Sequence, residues 1–254
     1  MSETAEKKPR AKSKAPQRKK PAPKPEAAPV RPLWRRALGL AGLGLAGLGA
    51  LILFLILVFA VINPPRGFYM MAESWRQGGI ERDWVALEDM APAMARSVVA
   101  AEDANFCLHW GFDMAAIRQA LDEGSGRGAS TISQQVVKNV FLWHGRSWVR
   151  KAMEAAITPV LELVWTKRRI IEVYLNVAET GRGIFGVEAA AQHYFGVPAS
   201  DLSPTQAARI AAALPDPKDR NPAKPSGYMR KRTGQIISGA ETIAADGRSA
   251  CFED

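Results

Sequence analysis

The chain has 254 residues, enough for one catalytic domain of ordinary size with a terminal extension. Its net charge of +9 is concentrated at the N-terminus, because residues 1–36 carry 12 of the 34 Lys and Arg residues and only 3 of the 25 Asp and Glu residues. The rest of the chain is electrically balanced and gives no general argument for nucleic-acid binding. Two cysteines are too few for a disulfide framework and lack metal-ligand spacing.

Residues 1–36 form the first predicted region, a disordered basic tail. Up to residue 32 the tail is rich in Lys, Pro and Ala and contains seven prolines. Such a segment cannot bury enough apolar surface to offset the entropy of ordering. A basic run can also bind nucleic acid, but this one lacks interleaved aromatic side chains and lies beside an apolar segment. We therefore expect no nucleic-acid partner.

An uncharged run of 26 residues, 37–62, predicts a single transmembrane helix, since a helix of this length spans the ~30 Å hydrocarbon core. A cleaved signal peptide is the alternative. However, the run exceeds the usual signal core of about 7–15 residues, and residues 58–60 lack a small-x-small cleavage pattern. Arg35 and Arg36 precede the run, so the positive-inside rule predicts a signal-anchor with a cytoplasmic N-terminus. Outside the cytoplasm Cys107 could pair with Cys251, although the sequence does not show whether they meet.

From Phe68 onward the pattern predicts a mainly α-helical domain over about 68–240, followed by a C-terminal tail, 241–254. Apolar residues recur at helical spacing in six stretches: 92–105, 131–142, 148–166, 167–176, 187–195 and 204–214. Ser203 with Gln206 forms a capping box, and Pro204 suits the first helical position.

The first candidate site is the stretch 102–111, EDANFCLHWG. On a helix, Glu102, Phe106 and His109 would lie on one face. A carboxylate beside an aromatic ring and an imidazole suits a partly desolvated site in which the glutamate acts as general base. The alternative interpretation is an exposed acidic helix end followed by a glycine stop.

The second candidate site is the stretch 128–139, GASTISQQVVKN. Capping explains Thr131 and Gln134 but leaves Gln135, Lys138 and Asn139 without a role. A glycine-rich approach to a helix N-terminus, with a lysine two turns inside, could also hold an anion such as pyrophosphate.

The third candidate site is Arg150-Lys151 with Glu154. An ion pair between Arg150 and Glu154 would contribute only ~0.3–0.5 kcal/mol. The functional alternative is a cationic pair that receives leaving phosphates, with the carboxylate fixing the cations or a metal ion. Two further stretches, 167–176 and 181–196, look more like scaffold: an amphipathic helix, a glycine turn and an alanine-rich helix.

Together these stretches, EDANFCLHWG, GASTISQQVVKN, RKAME, KRRIIEVYLN and GRGIFGVEAAAQHYFG, closely resemble the glycosyltransferase family 51 domain. The resemblance runs from about residue 84 to 217, and one domain behind one anchor is typical of the monofunctional members. It implies a mainly α, lysozyme-like domain that is periplasmic and held at the bacterial inner membrane. The implied reaction polymerises lipid II, undecaprenyl-pyrophosphoryl disaccharide-pentapeptide, into β-1,4-linked glycan strands of the cell wall. It proceeds with inversion and releases undecaprenyl pyrophosphate.

The resemblance also implies roles for individual residues. Glu102 would be the general base and Glu154 a second catalytic glutamate on the donor pyrophosphate side. The implied substrate-binding residues are Asp103, Phe106, His109, Ser130, Thr131, Gln134, Gln135, Lys138, Asn139, Arg150 and Lys151. It implies no organic cofactor and admits a divalent cation, Mg²⁺ or Mn²⁺, at the pyrophosphate. The implied partners are lipid II, the nascent glycan strand, the inner membrane and other cell-wall proteins such as transpeptidases.

The apolar loop 140–148 has two interpretations, core packing or, by family analogy, a membrane-dipping jaw that admits the lipid. The sequence also leaves two other functions open. A cell-wall hydrolase would use paired carboxylates, but it has little use for the cations Lys138, Arg150 and Lys151. A non-catalytic scaffold would tolerate substitution of Glu102.

Overall fold

The structure is a computed structural model that describes residues 33–122, 124, 128, 130–145 and 147–253. Most of the predicted basic tail and the glycine approach to the second candidate site, at 125–127 and 129, lie outside these residues. The chain divides into two units, residues 1–45 and 46–254, and the second contains the whole predicted domain.

The first helix, α1, runs Leu33–Phe59. Its stretch Trp34–Phe59 is long and apolar enough to cross a membrane, with a mean hydropathy of 2.6. The prediction of one N-terminal apolar helix is confirmed, but α1 begins four residues earlier than the predicted span 37–62 and ends three residues earlier. Residues 60–62 form a turn ahead of two prolines, which cannot donate backbone hydrogen bonds to continue a helix.

The last turns of α1 belong to the second unit and are bound by side chains from later in the chain. The indole Nε1 of Trp165 donates to the carbonyl oxygen of Ile56 at 2.7 Å. The guanidinium of Arg169 donates to the carbonyl oxygens of Phe59 and Ile62 at 3.1 and 2.9 Å. The carbonyl oxygen of Ile56 also accepts from the backbone N–H of Ala60 at 3.1 Å, so Trp165 is its second donor. Phe59 and Ile62 lie at the helix end and in the turn after it, where carbonyls lack intrahelical partners.

The remaining helices of the described chain are α2 (Phe68–Gln77), α3 (Pro92–Glu102), α4 (Met114–Asp122), α5 (Ile132–Phe141), α6 (Trp148–Val164), α7 (Lys167–Val177), α8 (Val187–Phe195), α9 (Pro204–Ala213), α10 (Gly227–Ala245) and α11 (Ala250–Glu253). Short 3₁₀ turns lie at Leu87–Asp89, Phe106–Leu108 and Ala199–Asp201. A two-stranded antiparallel hairpin, β1 (Glu179–Gly181) and β2 (Ile184–Phe185), occupies the predicted glycine turn.

Two groups of packed helices form the core. Helices α3, α9 and α10 pack together, while α5 packs against α6 and α7. Helix α9 buries a run of alanines, whose small side chains allow its neighbours to approach closely. Helix α7 is buried over most of its length and includes the fully buried Tyr174. The predicted mainly helical fold is confirmed, and all six predicted helical stretches are helices.

The C-terminal residues differ from the predicted tail, 241–254. Helix α10 continues to Ala245, and α11 packs on α7 and on the turn Phe106–Leu108. Phe252 is fully buried, and a disulfide joins Cys107 to Cys251 with their Cα atoms 5.7 Å apart. Residues 241–253 are therefore part of the folded domain, because these long-range contacts are not visible in local sequence patterns.

Candidate active site

Asp103 joins the first two candidate stretches. Its Oδ2 accepts a hydrogen bond from the backbone N–H of Ile132 at 3.0 Å, at the first turn of α5. Its Oδ1 lies 2.8 Å from Nε2 of His109. A carboxylate at a helix N-terminus satisfies an otherwise unpaired N–H and complements the helix dipole. Asp103 therefore fixes the end of α3 against the start of α5, and its own oxygens are occupied by protein groups.

Glu102 is the last residue of α3 and is partly buried. Its Oε2 accepts a hydrogen bond from Nε2 of Gln135 at 2.8 Å. Burial raises the pKa of this carboxyl, while the Gln135 hydrogen bond and the positive charges of Lys138 and Arg232 oppose that rise. A desolvated carboxylate with one amide hydrogen bond has spare lone pairs and raised basicity, as a general base requires.

A second hydrogen bond supports Gln135. The hydroxyl of Tyr174 on α7 donates to Oε1 of Gln135 at 3.3 Å. Because the amide oxygen is engaged by Tyr174, the amide nitrogen is directed to Glu102. The stretch 167–176, which contains Tyr174, was predicted to be scaffold, because this hydrogen bond depends on the packing of α5 on α7 and leaves no local signal in the sequence.

The site opens into two adjoining cavities of about 690 and 370 Å³. Glu102, Ser130 and Arg232 line the larger one, and Lys138 and Asn139 line the smaller. Gln135 and Pro215 border both. The hydrogen bond between Gln135 and Glu102 therefore lies where the two cavities meet.

The third candidate stretch forms an ion cluster at the start of α6. Glu154 is buried, its Oε2 accepts from Nη1 of Arg150 at 2.7 Å, and its Oε1 bonds to Nζ of Lys151. Lys151 also donates to Oγ of Ser130 at 3.1 Å, which connects the cluster to the wall of the larger cavity. Both Glu154 oxygens are thus occupied by cations, so this carboxylate holds the two basic side chains in place.

The ammonium of Lys138 interacts electrostatically with both glutamates of the site, Glu102 and Glu154. Burial lowers the pKa of its ammonium, the cations Arg150 and Lys151 lower it further, and the charges of Glu154 and Glu102 oppose the fall. Its ammonium has no hydrogen-bond partner among the residues that the structure describes. A partly buried cation without a bound acceptor favours an anionic ligand.

Several predicted substrate-binding residues are buried in supporting positions instead. The proposed helical face of Glu102, Phe106 and His109 is wrong, because α3 ends at Glu102 and Asp103 adopts a non-helical conformation, φ −160° and ψ 69°. Phe106 is fully buried, with Nζ of Lys167 4.4 Å from its ring centroid. Its ring lines neither of the two cavities.

His109, Thr131 and Gln134 also serve the framework. Thr131 and Gln134 form the predicted capping box of α5 and are both buried, although Thr131 still borders the larger cavity. The hydroxyl of Thr131 also donates to the carbonyl oxygen of Gly111 at 2.7 Å. His109 is held by Asp103, and its buried Nδ1 has no partner among the described residues.

Two features of the cleft were missed by sequence reasoning. Arg232 of α10 lines the larger cavity and donates to the carbonyl oxygen of Ala101 at 3.0 Å. Lys218 lines the smaller cavity and donates to the fully buried Glu73 at 2.9 Å. Both lysine and arginine lie in polar, basic stretches that are indistinguishable from ordinary surface in the sequence.

A polar network completes the wall of the smaller cavity. The hydroxyl of Tyr69 donates to Glu179, and the Tyr69 ring stacks on His144 with centroids 3.5 Å apart. Nε2 of His144 lies 3.0 Å from Oδ1 of Asn139, which accounts for that predicted residue. The loop 140–148, predicted to be a core element or a membrane-dipping jaw, therefore contacts the cavity wall through His144, while Trp143 and Trp148 are exposed.

A divalent cation at the pyrophosphate side stays a prediction. Among the described residues, no group of three or more His, Cys, Asp and Glu side chains has the arrangement of a metal site. Glu154, the carboxylate that the resemblance offers as a ligand, has both oxygens bonded to Arg150 and Lys151. No step below is assigned to a metal ion.

Comparison with known proteins identifies the class to which this fold and site belong. Residues 70–241 match the family model described as Transglycosylase. The chain therefore belongs to the transglycosylase family, and the prediction of a lysozyme-like transglycosylase domain behind one apolar helix is confirmed.

Three of the relatives that this chain resembles carry the name biosynthetic peptidoglycan transglycosylase. The protein from Jannaschia sp. (strain CCS1) is 62% identical over 197 residues, which cover 78% of this chain and 82% of the relative. The protein from Pectobacterium atrosepticum is 50% identical over 203 residues, covering 75% and 83%. That from Yersinia pestis (strain Pestoides F) is 50% identical over 194 residues, covering 72% and 80%.

Proposed function

We propose that this transglycosylase polymerises lipid II into β-1,4-linked peptidoglycan strands, with Glu102 as the general base. One observation carries the proposal: a partly buried glutamate, hydrogen-bonded by Gln135, lies where two cavities meet, with a cluster of cations nearby. The names of the relatives support peptidoglycan as the product.

In the proposed reaction Glu102 accepts the proton of the 4-hydroxyl of the acceptor's N-acetylglucosamine. That oxygen forms a bond to the anomeric carbon of the donor's N-acetylmuramic acid while the bond from this carbon to the pyrophosphate oxygen breaks. Attack from the face opposite the leaving group converts the α-linked donor into a β-1,4 link. The raised pKa of Glu102 supports the assignment, since a base is most effective when its pKa approaches the working pH.

Lys138, Arg150 and Lys151 would receive the undecaprenyl pyrophosphate that leaves. A pyrophosphate is already a good leaving group, so the site needs cations for developing negative charge rather than a strong acid. Arg150 and Lys151 are fixed by Glu154, and Lys138 is a partly buried cation without a bonded acceptor among the described residues. A hydrolase has no comparable use for such a cluster, which favours transfer from a phosphate-linked donor.

The proposed location is the periplasmic face of the bacterial inner membrane, where a polyprenyl-linked substrate and the growing glycan strand are accessible. Helix α1 is apolar enough to span the bilayer, and Arg35 and Arg36 precede its uncharged run. The disulfide between Cys107 and Cys251 fits an oxidising compartment. Protease added to spheroplasts should digest the domain and spare the N-terminal tail; the reverse pattern would contradict this orientation.

The test is polymerisation of fluorescent lipid II by the detergent-solubilised full chain, wild type beside Glu102→Gln, with the products then treated with muramidase. We expect muramidase-sensitive polymer from wild type and none from the variant. If wild type instead shortens finished glycan and leaves lipid II unchanged, the enzyme is a hydrolase. Normal polymer from Glu102→Gln would show that another residue is the base.

A further inference from the structure

The last residues of the described chain, Asp246–Glu253, form a segment that we call the C-terminal strap. It contains the turn after α10 and the short helix α11. Cys251 of the strap is bonded to Cys107, five residues after Glu102. Phe252, the next residue, is buried with its ring centroid 6.3 Å from that of Phe106. The strap therefore reaches the chain immediately after the proposed base.

Polar contacts extend this attachment on both sides of the disulfide. Nη1 of Arg248 donates to the carbonyl oxygen of Ala104 at 3.1 Å, and Asp246 holds the Arg248 guanidinium. At the other end, Glu253 accepts hydrogen bonds from Arg96 on α3 at 2.5 and 3.0 Å. The strap is thus bonded to the helix that ends in Glu102 and to the turn that follows it.

Helix α7 is also hydrogen-bonded to the C-terminal strap. Arg168 of α7 donates to the carbonyl oxygen of Phe252 at 3.1 Å. Helix α7 also carries Tyr174, whose hydroxyl supports Gln135 at the base. The strap consequently links the helix that presents Glu102 to the helix that supports its hydrogen-bond partner.

The residues after Glu102 need such support because they are not helical. Asp103 leaves the helix, and Phe106–Leu108 form only a 3₁₀ turn. Asp103 ties one side of this segment to α5, whereas the disulfide, Phe252 and Arg248 tie the other side. A segment with few regular hydrogen bonds opens more easily than a helix interior, and small displacements of a catalytic group can cost large factors in rate.

We propose that the C-terminal strap, locked by the Cys107–Cys251 disulfide, is a positioning element that holds Glu102 in its desolvated, catalytically competent place. This inference rests on the proposed function, since it concerns the same base. The cysteines and Arg248 act through Glu102 and touch no substrate.

The test compares the full chain with Cys107→Ser/Cys251→Ser, both in detergent, using lipid II polymerisation rates across pH. We expect a loss of about tenfold in kcat with little change in KM, since misplacement of a base lowers the rate of the chemical step. Burial raises the pKa of Glu102, so water entering a loosened site should lower that pKa. The acid limb of the kcat–pH profile should therefore move to lower pH.

A matched control separates positioning from general stability. Leu202→Ala removes a buried side chain outside the strap and the cleft, and it should lower the melting temperature by leaving a cavity. Well below its melting temperature this variant should keep the wild-type kcat and acid limb. A double serine variant that melts earlier but likewise keeps both would overturn the positioning role.

A second variant keeps the proposal testable if the double serine chain fails to fold. Arg248→Ala removes the hydrogen bond from a partly exposed side chain to the carbonyl oxygen of Ala104, two residues after Glu102. It should lower kcat about two- to threefold and move the acid limb in the same direction as the double serine variant. An unchanged rate and profile would contradict the proposal. The Glu102→Gln variant separates the proposed base from the proposed strap. If polymerisation is lost in that variant, the assignment of Glu102 as base stands whatever the strap variants show.

Discussion

The two glutamates of the site, the partly buried Glu102 and the buried Glu154, differ in the groups that bond to their carboxylate oxygens. Glu154 has both oxygens bonded to cations, and it lies in the first turns of α6. Glu102 has one amide hydrogen bond, at the end of α3, and its pKa is raised by burial. The first is arranged to stay fixed, and the second is arranged to accept a proton.

This difference indicates that one residue type serves two purposes within a single cleft. A carboxylate neutralised by Arg and Lys is a poor base but a good anchor for the cations. A carboxylate in a desolvated place is destabilising when ionised, which is the usual cost of a reactive group. Substitutions at the two positions should therefore have opposite signs on stability and different sizes on rate.

The largest effect is expected for Glu102→Gln, which should lower kcat by about 10²–10⁴-fold because it removes the base. Stability should be kept or raised at neutral pH. The folded-state pKa of Glu102 is raised, so its contribution to stability is lost as pH rises through that pKa, and the amide removes this loss. Polymerisation rates test the predicted fall in kcat, and melting temperatures at neutral pH test the predicted stability. The exposed Glu241→Gln is the control, and a strongly destabilised Glu102→Gln would contradict the comparison.

The next effect is expected for Glu154→Gln, which leaves Arg150 and Lys151 beside a neutral amide. We expect a stability loss of about 2–3 kcal/mol, below the full cost of breaking a buried pair because Lys151 is partly exposed. The rate should fall about 10- to 100-fold as the cations lose their position. Melting measurements and initial rates check this, with Glu154→Asp as a conservative variant. A stable but inactive Glu154→Gln would assign this residue a direct chemical role.

A smaller effect is expected for Gln135→Leu, which removes the hydrogen bond to Glu102. The rate should fall about tenfold, as expected for one hydrogen bond to a charged group. That hydrogen bond lowers the pKa of Glu102, so its loss should raise the pKa and move the acid limb of the kcat–pH profile to higher pH. This is opposite in sign to the shift predicted for the strap variants. An unchanged acid limb would show that Gln135 does not affect the pKa of the catalytic base.

The smallest effect is expected for Tyr174→Phe, which removes the hydroxyl that donates to Gln135 at 3.3 Å. The long hydrogen bond and the retained ring predict a two- to fivefold fall in rate, within the range of about 0.5–1.5 kcal/mol for one hydrogen bond. The acid limb should move in the same direction as in Gln135→Leu and by less. Rates measured in both variants and their double mutant test this, since independent effects would show that the two residues do not act in series.

Features of the fold that depend on neighbouring residues were predictable from the sequence. The capping boxes at Thr131 and Ser203 both form, because their hydrogen bonds span only three residues. The helices Val187–Phe195 and Pro204–Ala213 begin and end within one residue of their predicted bounds. Apolar periodicity and caps suffice for such elements.

Features that depend on contacts across the fold were not predictable. Periodicity extended α3 through Asn105, but Asp103 bonds to the N-terminus of α5 and ends the helix. The disulfide joins cysteines 144 residues apart, and Arg232 reaches the cleft from α10. The family motifs identified Glu102 and Gln135 as site residues, but only tertiary packing shows that the two are hydrogen-bonded to each other.

The packing of the last turns of α1 limits how freely this apolar helix could be exchanged with that of another enzyme. Ile52, Ile56 and Phe59 pack against the core, and Trp165 donates to the carbonyl oxygen of Ile56. A chimera joined after Ile62 would replace the α1 residues that pack against the core, whereas one joined before Ile52 would keep them. The boundary of the folded enzyme therefore lies inside helix α1 rather than at its end.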